Sequence, residues 1–240
     1  MRIAILSDVH GNLEALESVL IAIHREGAER VVVLGDLVGY GPDPVACIYR
    51  IREVESICVL GNHDQALIDP SYAHELNAMA RDTLLRSRDM VDPEVLAYLR
   101  TFPFRYIDSD AIFTHANPVE PEDWQSLYLF EHVDWCLAAL DARIAFVGHT
   151  HHSGICCRMD TTSVSLTSSE VAIGHHRYLV NVGSVGQPRD GDPRASYALW
   201  DTDSQHVELR RAEYPVRRTQ EKILALGWPT YVAERLARGE

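Results

Sequence analysis

Apolar residues near the start of the chain fall into two alternating textures. Residues 3–6 and 31–34 are short runs rich in β-branched side chains, the length of strands. Between them Leu13, Leu16, Leu20 and Ile23 share one helical face, with Asn12 placed to cap its start and Gly27 to end it. Pro42 and Pro44 open a second helix through Val45, Ile48 and Ile51, ahead of a strand over 57–60. Strand, helix, strand, helix, strand predicts parallel strands joined by right-handed crossovers.

The middle of the chain departs from that rhythm. Helical patterning returns over 74–85 and 94–99, split by Asp92-Pro93 and closed by Thr101-Phe102-Pro103. A strand over 111–114, a turn at Pro118 and Pro121, a helix over 133–140 and a strand over 144–147 follow. Beyond Ser153 the texture is β: Cys156 and Cys157 lie in one strand, and further runs cover 163–166, 170–173, 178–182, 197–200 and 207–212. Short strands in series suggest antiparallel pairing. A helical tail from Val216 to about Leu236 is broken near Gly227-Trp228-Pro229. With no repeat and no flexible linker, the expectation is one α/β domain over residues 1–240, with two sheets and helices outside them. A helical insertion at about 71–101 is expected to cover the sheet.

Composition narrows the possible roles. The formal charge of −13 repels a phosphate backbone, so nucleic acid is a disfavoured partner, although bound cations would reverse the field locally. No apolar run approaches the roughly 20 residues that cross a bilayer, and the first residues read as a strand rather than a leader. Five cysteines, Cys47, Cys58, Cys136, Cys156 and Cys157, form no paired framework, which fits a reducing, cytoplasmic setting. Some apolar residues of the insertion are available for a homodimer contact.

Five polar clusters stand out: Asp8-Val9-His10, Gly35-Asp36, Gly61-Asn62-His63-Asp64, Thr114-His115 and Gly148-His149-Thr150-His151. Each follows the C-terminal end of an expected strand, where open α/β sheets gather their ligands. Residues i and i+2 of a strand face the same side, so Asp8 with His10, and His149 with His151, are expected to reach a common point. Carboxylate, amide and imidazole donors without thiolate suit divalent metals. Singly, each cluster reads as a turn, a cap or a satisfied histidine; jointly, they point to a metal centre that cleaves phosphate esters. His24, His74, His132, His152, His175, His176 and His206 are expected to stand outside it, with His152 facing away from His151.

In order and spacing these motifs resemble the calcineurin-like metallophosphoesterases, and with the Asn181-Val182-Gly183-Ser184-Val185-Gly186 loop they look most like the small bacterial and archaeal phosphodiesterase branch. The resemblance implies a four-layer α/β/β/α sandwich of two mixed sheets flanked by helices. It implies that Asp8, His10, Asp36 and His151 hold one metal, that Asn62, His115 and His149 hold a second, and that Asp36 bridges the two. A hydroxide shared by the metals would attack phosphorus, with His63 as general acid and Asp64 orienting it. Manganese is the expected metal, and iron, zinc, cobalt and nickel also suit these donors. The substrate class is a small phosphodiester or phosphomonoester, with Arg189 after the Gly183–Gly186 loop as a phosphate contact.

Three other readings compete. Protein serine/threonine phosphatases of the superfamily extend Gly-Asp to G-D-x-x-D-R-G, but Tyr40 stands here in place of that arginine. A nuclease would need a basic, aromatic-rich groove. A catalytically silent scaffold, like the retromer subunit that resembles this branch, would lack the histidine present here as His63.

Overall fold

The computed structural model describes all 240 residues. Its strands are β1 (Arg2–Leu6), β2 (Arg30–Val33), β3 (Ile57–Cys58), β4 (Arg105–Asp108), β5 (Ala111–Thr114), β6 (Ile144–Val147), β7 (Gly154–Met159), β8 (Thr162–Leu166), β9 (Glu170–Ala172), β10 (Arg177–Asn181), β11 (Ala195–Asp201) and β12 (His206–Ala212). The α-helices are α1 (Leu13–Arg25), α2 (Pro44–Glu53), α3 (Asn62–Ile68), α4 (Ala78–Arg88), α5 (Pro93–Leu99), α6 (Phe130–Ala139), α7 (Val216–Ala225) and α8 (Thr230–Glu234).

One sheet has the order β3-β2-β1-β11-β12-β9 and the other β4-β5-β6-β10-β7-β8. Both are mixed. β1 pairs parallel with β2 and antiparallel with β11, and β10 pairs parallel with β6 and antiparallel with β7. The late strands are therefore shared between the two sheets; they pair antiparallel with one another as expected, and β10 also pairs parallel with the earlier β6.

Side-chain alternation builds the layers. Ile3 and Ile5 of β1 point between the sheets, where they meet Phe113, Phe146, Val180 and Trp200. Ala4 and Leu6 point the other way, onto Leu16, Val19 and Ile48 of the helices. In β6, Ile144 and Phe146 face the inner layer, while Ala145 and Val147 pack under α6. The result is the expected four-layer α/β/β/α sandwich.

Two local differences have physical causes. β4 is an edge strand in which Arg105 and Ile107 are exposed, so it carries no apolar alternation that a sequence reading could find. The expected helix over 74–85 is interrupted: a 3₁₀ turn covers Pro70–Glu75, and α4 starts afresh where the Asn77 side chain accepts the Ala80 N–H at 2.9 Å.

Candidate metal centre and active site

The clusters gather in the loops that follow β1, β2, β3, β5 and β6, at one end of the sandwich. Strand alternation is not what aims them. β1 stops at Leu6 and β6 at Val147. Asp8 (φ 54°), His10 (φ 47°), Asp36 (φ 54°), His149 (φ 63°) and His151 (φ 61°) all adopt left-handed backbone instead. That conformation costs roughly 1–2 kcal/mol for a residue with a Cβ, and it is held by bonds between loops. Asp8 N–H donates to Gly35 O (3.1 Å), His10 N–H to Asp36 O (2.9 Å) and Gly186 N–H to Asp8 O (2.9 Å). Gly61 and Gly148 permit the close approach: a Cβ at either would collide with Asp36 or Asp8.

The donors form two groups. In the first, His10 Nδ1 donates to Val38 O (2.8 Å) and His151 Nδ1 to Gln187 O (2.6 Å). With Nδ1 committed to a carbonyl, Nε2 is the ring atom left to offer a lone pair, and the two Nε2 atoms face each other at 3.1 Å. Asp8 Oδ1 is 3.1 Å from His151 Nε2 and 3.6 Å from His10 Nε2, and it is buried without a hydrogen-bond partner. In the second group, His115 Nδ1 donates to Leu34 O (2.8 Å). Its Nε2 faces Asn62 Oδ1 (3.1 Å) and His149 Nδ1 (3.2 Å), which are themselves 3.1 Å apart. Asp36 Oδ2 stands between the groups, 3.4 Å from His115 Nε2 and 3.6 Å from His10 Nε2. His149 and His151 thus serve different groups, contrary to the common point expected from their spacing.

Charge follows burial. Burial pushes the His151 imidazole down to about 3, with Arg189 adding to it, and pushes His149 down to about 4, so both rings are neutral. Burial opposes ionisation of Asp8 and Asp36 too, but the surrounding imidazoles hold both carboxylates below their usual range. Burial also opposes a charge on His115, yet Asp36 and Asp8 outweigh it and raise that ring to about 9. A proton on His115 and a cation are alternative counter-charges for the same carboxylates. Lone pairs aimed at one another around ionised carboxylates, with the rings of His10, His115 and His151 each set by a backbone carbonyl, fit a divalent metal bound through nitrogen and oxygen.

A cavity of about 330 Å³ opens over these groups, lined by Asp36, Asn62, His63, His149 and His151 together with Tyr40 and Arg189. Glu75, Leu76, Asn77 and Ala80 also line it, so the 71–101 segment reaches over the site rather than only covering the sheet. His152 lines it as well, with its ring edge-on to Tyr128 at 5.2 Å, and does not face away as expected.

His63 sits among His10 and Tyr40, with ring centroids at 4.8 and 5.0 Å. Its Nδ1 is buried and has no hydrogen-bond partner. Asp64 does not orient it. Its carboxylate accepts the N–H groups of Leu37 (2.9 Å) and Gly61 (3.3 Å), bolting the loop after β2 to the start of α3. Burial, with Asp36 nearby, raises Asp64 to about 7. Arg189 does reach the cavity, stacked over Tyr40. Arg189 is thus at the cleft, where a phosphate contact is expected; its packing on Tyr40, from a distant loop, is what the sequence pattern does not reveal.

No helix is long and apolar enough to cross a membrane. A family model of the calcineurin-like phosphoesterase superfamily domain matches residues 1–205. An uncharacterized protein of Methanocaldococcus jannaschii is 35% identical, covering 99% of this chain and 98% of its own. The crystal structure of a metallophosphoesterase from Sphaerobacter thermophilus superposes with a TM-score of 0.88 at 37% identity, over 100% of this chain and 99% of that one. The phosphodiesterase YfcE of Escherichia coli is 27% identical over 85% of this chain and 89% of its own. The chain belongs to the calcineurin-like phosphoesterase superfamily, in its small bacterial and archaeal branch, and is a hydrolase of phosphate esters.

Proposed function

We propose that this chain is a dinuclear metal-dependent phosphoesterase that hydrolyses a small phosphodiester or phosphomonoester with His63 as general acid. The approach of the His10 and His151 Nε2 atoms to 3.1 Å, beside the unpartnered Asp8 Oδ1, carries the reading. Two like acceptors are held that close where a cation is to sit between them. Asp8, His10, Asp36 and His151 would hold one ion, Asn62, His115 and His149 the other, and Asp36 would be shared. Bound there, divalent cations supply Lewis acidity and neutralise phosphate charge; manganese is the proposed metal, and the free thiols suit a cytoplasmic setting.

The protein's own groups do the rest. Burial pushes His63 down to about 3, so its resting ring is neutral. An anionic phosphate in the cleft favours the protonated form, and His63 Nε2, 4.0 Å from Asp36 Oδ2, then donates to the departing oxygen. Arg189 meets a phosphate oxygen from the Tyr40 side.

The test starts with metal analysis of protein loaded with Mn²⁺. Two equivalents per chain are expected, falling in His10→Ala and His115→Ala, and bis(p-nitrophenyl) phosphate should be hydrolysed. His63→Ala should keep its metal and lose at least about 100-fold in kcat. A wild-type protein that takes up no metal sinks the proposal, and undiminished turnover in His63→Ala removes the general acid.

A further inference from the structure

A second cavity of about 280 Å³ adjoins the cleft and shares Tyr128, Thr150 and His152 with it. Its character is different: more than half of its lining residues are hydrophobic, Phe130 and Leu179 among them. Among its polar lining groups, Asn181 Nδ2 is already used, donating to Gly148 O and Thr150 Oγ1, both at 2.9 Å. Among its lining residues Tyr128 is 66% and Phe130 50% exposed, so two aromatic rings stand in water beside a mostly apolar recess. A pocket of this size and lining takes a flat apolar group, and its continuity with the cleft means that such a group can be tethered to a phosphate.

We infer that this pocket is a specificity subsite for a planar aromatic group that stays on phosphorus while the other ester oxygen departs. The inference rests on the phosphoesterase reading above and names the substrate class: phosphodiesters with an aromatic retained group. Direction comes from the walls. His63, Tyr40 and Arg189 line the cleft but not this pocket, which lies on the Thr150 and His152 side. With His63 at the departing oxygen, the pocket is left to the other substituent.

Gly154 supplies the test, because a Cβ there meets nothing within 4 Å and its φ is not positive. Gly154→Val suits a strand and narrows the recess, and Tyr128→Ala removes one of the two exposed rings without touching the strand. Each would be assayed as Mn²⁺-loaded full-length protein on phenyl p-nitrophenyl phosphate and methyl p-nitrophenyl phosphate, which release the same p-nitrophenolate. Wild type should prefer the phenyl ester through KM, and both variants should cut the phenyl-to-methyl ratio of kcat/KM by roughly tenfold. An unchanged ratio in either variant, with both esters hydrolysed, overturns the subsite and leaves the hydrolase reading standing. An unchanged ratio with a shift in sedimentation of Tyr128→Ala also overturns it, assigning the aromatic rim to contact with a second copy. Failure of metal-loaded wild type to cleave either ester removes the phosphoesterase reading and the subsite together.

Discussion

Arg189 lies over the face of Tyr40, with Cζ 5.5 Å from the ring centroid, and Gln187 Oε1 accepts its Nη2 at 2.8 Å and its Nε at 3.3 Å. A loop far along the chain thereby brings a guanidinium against the tyrosine that stands at the arginine position of the protein phosphatase motif. A charge-assisted contact to phosphate contributes about 2 kcal/mol, so Arg189→Ala should lower kcat/KM roughly 30-fold. Arg189→Lys should not restore it, because the planar fork and the stacking are both lost. Steady-state kinetics decide, and wild-type values in Arg189→Ala would deny the residue any substrate contact.

Asp64 is expected to govern stability. Its carboxylate is the acceptor for the buried N–H groups of Leu37 and Gly61. Asp64→Ala leaves both without a partner, at a cost of about 3 kcal/mol, and Asp64→Asn should cost less because an amide oxygen can still accept one. Thermal unfolding should show that order. Native melting with a collapse of kcat at full metal content would return Asp64 to the chemistry.

Gly61→Ala should act on metal content without unfolding the chain. The added Cβ meets the backbone nitrogen and Oδ1 of Asp36, the residue whose Oδ2 stands between the two donor groups. Loss of bound metal with a native circular dichroism spectrum is the expected result. Full stoichiometry would show that the loop yields more easily than its contacts imply.

Chelation should lower the melting temperature. A ligand present at 100 times its Kd stabilises the folded state by about 2.7 kcal/mol, worth roughly 5–10 °C for a chain of this size. Differential scanning fluorimetry with and without EDTA measures it, and re-addition of Mn²⁺ should recover the shift. Identical curves would argue against tight metal binding.

Much of this was legible from residue type at strand ends. Asp8, Asp36, Asn62 and His115 could be picked out because buried strands ending in metal-suited donors are chemically conspicuous. The expected pleat alternation is not what points Asp8, His10, His149 and His151; left-handed turns do. Turn geometry of that kind depends on partners such as Gly35 O and Gly186 N–H, which lie far off along the chain. Asp64 was misread for the same reason, since its acceptors' partners are backbone groups that no side-chain pattern reveals. β4 and the reach of Glu75 to Ala80 over the cleft escaped because exposed edges and overhanging turns carry no periodic signal.

The bond from His115 Nδ1 to Leu34 O joins the end of one sheet to the other, and Val185 N–H to Ser7 O adds a second stitch nearby. This mouth of the sandwich is laced by the polypeptide itself. Stripping the ions should therefore leave the socket standing, and refilling it becomes a matter of diffusion and dehydration rather than of renewed folding.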